Sequence, residues 1–196
     1  KWDEAGRSLT KTKTYNNNFK DVSSNSWYYS AVVSAYRYGL MDGVETKKFK
    51  PNDQITNAQA ITLAARLRKL YVSGSASFAN TNPWYKAYSD YAISQKIITS
   101  APANMNATLT RQEFASILAK ALPDAALPAV NTVANGAIPD VYRSDTGIYK
   151  LYRAGILAGS DSKGTSRPNA AITRAEVAAV LVRMADPNTR QLFTLQ

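Results

Sequence analysis

The sequence predicts an all-α fold, a compact pseudo-threefold domain built from three helix–loop–helix units. Three observations predict it: a helix-start motif that occurs three times, a longer layout that precedes each copy, and a spacer that lets the third unit return to the first. The motif reads Ile55-Thr56-Asn57-Ala58-Gln59, Leu109-Thr110-Arg111-Gln112-Glu113 and Ile172-Thr173-Arg174-Ala175-Glu176, each followed by an apolar-rich run. One helix pair cannot bury its apolar face alone, and stacking three copies solves this.

Taken in order, residues 1–18 are polar and rich in Thr and Asn, and read as a loose arm or a remnant of a neighbouring domain. The first unit covers 19–71. Phe19-Lys20-Asp21-Val22 leads to Trp27, Ala31, Val32, Ala35 and Tyr36, which share one helical face. Gly39 fits a helix stop needing positive φ, as Gly155 does later. After the loop ending Phe49-Lys50-Pro51-Asn52, Thr56 starts a helix expected to end near Leu70. Its hydroxyl can accept from the N3 amide while Gln59 reaches back, a capping box that Thr110 with Glu113 and Thr173 with Glu176 repeat.

The second unit, 78–122, is worn. It keeps Phe78, Trp84, Tyr88 and Tyr91, but Lys96 and Ser100 stand where the glycines fall. Its second helix is expected to end near Leu122, before Pro123. Residues 124–137 read as a linker. The third unit, 138–185, has Ile138-Pro139-Asp140-Val141, Gly155, Gly159 and a loop ending Ser166-Arg167-Pro168-Asn169. Its second helix is expected to end near Met184, leaving 186–196 as a tail.

Composition narrows the chemistry. The chain has 24 Lys and Arg against 14 Asp and Glu, a formal charge of +10, which points to an anionic partner. It has no Cys and no His. That excludes disulfides, thiolate nucleophiles, Ser–His triads and zinc sites built from N and S ligands. Paired carboxylates, as in a glycosidase, remain open with 14 acids present, but none recurs in a catalytic-looking setting beyond the capping Glu, so no catalytic, metal or cofactor residues are expected. No run approaches the roughly 20 apolar residues of a membrane span, and membrane insertion is not expected. Opening on Lys1 rather than Met fits a processed chain or an excised fragment.

The order Phe-x-Asp-Val, Trp, Gly-x-x-x-Gly, Phe-x-Pro-Asn, Ile-Thr-Arg-Ala-Glu resembles the S-layer homology (SLH) domain, and the three units look like three tandem copies. The third keeps Thr173-Arg174-Ala175-Glu176 intact, the second has Gln112 inside the motif, and the first has Asn57 and Gln59 in place of Arg and Glu. The resemblance implies a three-pronged assembly around a central helical bundle. It also implies a secreted module at the cell wall or S-layer, monomeric within a larger surface protein. Such modules bind a secondary cell wall polymer of Gram-positive bacteria, often through pyruvylated N-acetylmannosamine, in grooves between repeats. By that likeness Arg111 and Arg174 are the ligand residues.

Chemistry agrees with the assignment. An Arg just past an N-cap lies at the positive end of a helix dipole, where free N–H groups are expected to favour an anion. Its planar fork can grip the carboxylate of a pyruvyl ketal. Asn57 cannot, so the first copy is expected to add little anion affinity. Trp27 and Trp84 are candidate sugar platforms, although their apolar settings at helix starts suit core positions better. Asp21 and Asp140 are candidates for orienting hydroxyls, and Gly39, Gly43, Gly155 and Gly159 for close backbone approach to a ligand. Two rival readings are an appendage of a surface glycosidase and a basic nucleic-acid binder. The second lacks any base-reading motif, and its cations are scattered, so nucleic acid is not an expected partner.

Overall fold

The structure, a computed structural model, describes residues 9–196. Six α-helices follow in pairs: α1 Tyr29–Arg37 and α2 Asn57–Ser73, α3 Lys86–Ser94 and α4 Arg111–Leu118, α5 Thr146–Arg153 and α6 Arg174–Ala185. Short 3-10 turns at Asp124–Ala126 and Pro187–Thr189 complete the order. The described residues form no strand, and no helix among them is long and apolar enough to cross a membrane.

The pairs are exchanged. No first helix packs on the second helix of its own unit; α1 lies on α6, α3 on α2 and α5 on α4. Each unit's apolar face is thus completed by a neighbour. The core runs continuously through all three units, with Phe49, Ile61, Leu67, Phe114, Leu118, Tyr149, Tyr152 and Leu181 fully buried.

The three capping boxes close the ring. Thr56, Thr110 and Thr173 are N-caps whose hydroxyls accept from the N3 amides, and Gln59, Glu113 and Glu176 accept from the Thr amides. The next two amides of each helix donate to the loop of another unit. Asn57 and Ala58 donate to Ala107 and Met105, Arg111 and Gln112 to Ala170 and Pro168, and Arg174 and Ala175 to Asp53 and Pro51. Isolated bridges Thr56↔Thr108, Thr110↔Ala171 and Gln54↔Thr173 run beside them. The order is first unit to second, second to third, third to first, which is the expected threefold closure. At about 1 kcal/mol per net hydrogen bond, this ring contributes several kcal/mol to holding the units in register.

Several expectations change. Residues 1–8 of the expected arm lie outside the described residues, but 9–18 are packed rather than loose: Leu9 is buried and donates to the Ala185 carbonyl. Thr12 and Lys13 both donate to the Arg37 carbonyl at the end of α1. The stretch expected to link units does the same for α5, where Val130 and Asn131 both donate to Arg153, and it buries Leu127 and Val133. Both are straps that satisfy the last carbonyls of a first helix. The tail is also fixed, with Gln191 donating to Gly155 and Phe193 to the Asn131 side chain. Helix α4 ends at Leu118, four residues short of expectation, and tighter turns carry Lys120 and Ala121 onward.

Candidate functional site

The helix starts were expected to offer free N–H groups to an anion, and they do not. Of the four amides that lack an intrahelical partner at each start, one is taken by Gln or Glu, one by Thr, and two by the neighbouring loop. Any anion affinity therefore rests on side chains.

Both aspartates spend their carboxylates on backbone. Asp21 accepts from the Phe49 and Lys50 amides at 2.9 and 2.7 Å, and Asp140 from Ser166 and Arg167 at 2.8 and 2.7 Å. These bonds fix the carbonyls that receive the arginines. Arg174 Nε donates to Phe49 O at 2.8 Å and Nη2 to Asp42 O at 2.8 Å, with its guanidinium stacked 4.6 Å from the Phe49 ring centre. Arg111 Nε donates to Ser166 O at 3.0 Å, and Nη1 pairs with Glu176 Oε1 at 2.6 Å. Asn57 Nδ2 makes the equivalent reach to Asn104 O at 3.0 Å. The three motif residues are thus clasps between units first, and burial lowers the Arg174 pKa from its ordinary value.

Two hollows open beside these clasps, and each draws on all three units. The first, about 160 Å³, lies on α6, with Glu176, Ala179, Val180 and Arg183 on its floor, Trp27 from the first unit and Arg111 from the second. The other, about 120 Å³, lies on α2, with Gln59, Thr62, Leu63 and Arg66, Trp84 from the second unit and Arg174 from the third. Trp27, Arg111, Glu176, Ala179, Val180 and Arg183 hold the same repeat positions as Trp84, Arg174, Gln59, Thr62, Leu63 and Arg66. The tryptophans are at the rims and exposed, 69% for Trp27 and 51% for Trp84, so the expected core placement is wrong. Each stands two residues ahead of its first helix and packs edge-on against the next Tyr, clear of the core.

The S-layer homology domain matches residues 18–61 and 137–178. Relatives include the surface-layer 125 kDa protein of Lysinibacillus sphaericus, 32% identical over 59% of this chain, and exoglucanase XynX of Acetivibrio thermocellus, 32% over 55%. A cell surface protein of Thermoanaerobacter kivui is 30% identical over 53%. The chain spans only 11%, 11% and 12% of these relatives' lengths.

Within the two S-layer homology segments, the glycines serve the chain more than a groove. Gly155 and Gly159 have φ of +70° and +81°, and a Cβ there would meet the Gln191 carbonyl at 2.6 Å or the Gly164 backbone at 2.3 Å. Gly43 is pressed against Lys48 O and Phe19, and Gly39 has only Thr12 nearby. Only Gly159 lines either hollow. Between the S-layer homology segments, Lys96 takes the turn that Gly39 and Gly155 take, with φ of +58°.

Sequence reasoning missed Arg66 and Arg183, which floor the two hollows and donate to Gly39 O and Ile156 O. Burial lowers the Arg183 pKa. A signal was present: both lie ten residues past a capping Thr, and Lys120 holds that place after Thr110. It also missed that Gln59 and Glu176 line these hollows as well as capping.

Proposed function

We propose that this chain is a non-enzymatic cell-surface anchoring module. In this reading residues 78–122 form a third, diverged S-layer homology repeat. The module holds an anionic secondary cell wall polymer, with pyruvylated N-acetylmannosamine as the recognised sugar, in the hollows on α2 and α6. The supporting observation is that six lining positions of one hollow recur in the other. Each offers an exposed indole for a sugar face, a motif Arg and a second Arg on the floor, supplied by three different units. A pyruvyl carboxylate meeting one guanidinium would gain about 1.5–3 kcal/mol per charged hydrogen bond.

The relatives support the same reading, since they are surface proteins and one exoglucanase, and match over a small share of their lengths. The chain is then one part of a larger protein, which could itself be a glycoside hydrolase.

Calorimetry with a methyl glycoside of pyruvylated N-acetylmannosamine tests the proposal. Wild type binds, and the bare N-acetylmannosamine glycoside binds at least tenfold more weakly. The double variant Arg111→Ala, Arg174→Ala loses detectable affinity. Because both arginines also clasp units, Trp27→Ala with Trp84→Ala is the companion, removing rim contacts while leaving the clasps intact. Unchanged affinity in both double variants rejects the assignment.

A further inference from the structure

The two hollows differ at three positions that bear on an acid-bearing ligand. On α6, Glu176 pairs with Arg111 at 2.6 Å. On α2 the corresponding residue is Gln59, and no carboxylate among the described residues pairs directly with Arg174; Asp53, Asp21 and Asp42 act on its charge only from a distance. Arg174 donates to two carbonyls instead. The one carboxylate lining that hollow, Asp42, is engaged by Lys13 at 2.5 Å. The third difference is Thr62, whose Oγ1 is buried in the α2 helix face with no hydrogen-bond partner among the described residues, where the α6 hollow has Ala179.

A buried cation with no carboxylate in contact and a buried hydroxyl without a partner both cost free energy in the empty protein, and both are relieved by a polar anionic occupant. The α6 hollow has already satisfied its cation from within. We propose that the two grooves are unequal. The α2 groove is the strong site for a carboxylate-bearing sugar, taken by Arg174 with a ligand hydroxyl on Thr62. In the α6 groove Glu176 occupies the carboxylate's place beside Arg111, so that the same sugar binds there weakly. Gln59 and Glu176 are the selecting pair. This rests on the anchoring reading above and says which groove does the work.

The capping boxes make the test clean, because either residue can cap. Gln59 Oε1 accepts from Thr56 at 2.9 Å, and Glu176 Oε2 from Thr173 at 2.9 Å, so each cap uses one atom of the head group of a residue that also lines its hollow. Exchanging Gln and Glu therefore changes the charge at the groove while keeping the helix start.

Each groove also carries its own reporter. The chain's tryptophans are Trp2, Trp27 and Trp84. In protein labelled with 5-fluorotryptophan, single Trp→Phe variants assign the fluorine resonances. The pyruvylated N-acetylmannosamine methyl glycoside is then titrated. In wild type the Trp84 signal reaches its midpoint at a concentration at least about tenfold below that of Trp27. Glu176→Gln lowers the Trp27 midpoint about tenfold, and Gln59→Glu raises the Trp84 midpoint about as much. Thr62→Val raises the Trp84 midpoint severalfold while raising the thermal midpoint of the free protein. A Trp27 midpoint at or below that of Trp84, or a ratio unmoved by Glu176→Gln, overturns the inequality of the grooves. If neither signal moves at any concentration, the anchoring reading itself fails.

Discussion

The second unit presents a third hollow on α4, and comparing it with those on α2 and α6 shows how the exchange of elements concentrates change. It is wide, about 610 Å³, with Ser116 and Lys120 at the places of Thr62 and Arg66. The helix that packs on α4 is α5, and two residues ahead of it stands Ser144 rather than Trp. The motif residue that reaches into the second unit's loop is Asn57 rather than Arg. The turn within that unit carries Lys96 and Ser100 rather than glycines. These departures lie in three different repeats along the chain, yet all fall on one unit in space. A chain that swaps elements between units can relax one groove completely only by changing every repeat once.

The largest contrast is in stability. Arg174 is 7% exposed and holds two carbonyls of the first unit, whereas Asn57 makes one neutral hydrogen bond at the rim of the second. Arg174→Ala leaves both carbonyls short of a donor and opens a void against Phe49. It is expected to cost about 3 kcal/mol, against about 1 kcal/mol or less for Asn57→Ala. For a chain of this size the first corresponds to a fall of roughly 6–12 °C in thermal midpoint. Calorimetric melting of the two variants checks the ranking. Equal losses would mean that the clasp residues are interchangeable and that the α4 position differs only on its surface.

Next in size is an effect on binding without one on fold. Trp27→Ala and Trp84→Ala remove exposed rings, so each is expected to change stability by under about 1 kcal/mol. Each weakens the glycoside at its own groove by about tenfold, a typical worth for one stacked aromatic contact. Ser144→Ala, at the same place before α5, is expected to leave total binding unchanged. A loss of binding with Ser144→Ala would make the α4 hollow a working groove.

Much of the fold was legible because its signals are local. A capping box is written in four consecutive residues, so Thr56, Thr110 and Thr173 announce helix starts without any tertiary knowledge. The stops at Gly39 and Gly155 follow from backbone sterics in the same way. What was not legible is which unit completes which. Hydrophobic spacing shows that α1 has a buried face, but not that α6 covers it. The same gap misplaced the tryptophans, since an aromatic among apolar residues reads as core until the neighbouring helix is seen to pass beside it. It also hid the double use of Glu176. A Glu three residues after Thr is explained fully by capping, and only the approach of Arg111 from another repeat reveals its second oxygen.

The smallest expected effect lies in the α4 hollow itself. There Lys150 Nζ, from α5, donates to the Ala119 carbonyl at 2.8 Å and pairs with the Asp124 carboxylate. The hydrogen bond from Lys150, and then its charge, hold the Asp124 carboxyl below the ordinary carboxylate range. A carboxyl whose pKa is depressed on folding stabilises the fold above its unfolded value of about 4, and that contribution is lost as pH falls through the lowered folded value. Because the Asp124 side chain is 92% exposed, solvent screens the pair and the stability change is expected to be slight. The carboxyl resonance is the sensitive readout: its midpoint is below that of an unpaired Asp, and Lys150→Met returns it to the ordinary range. A midpoint unaffected by Lys150→Met would mean that the pair does not persist in solution. The α4 hollow would then hold a free lysine and carry the cation that its Asn57 lacks, which would narrow the difference between it and its two counterparts.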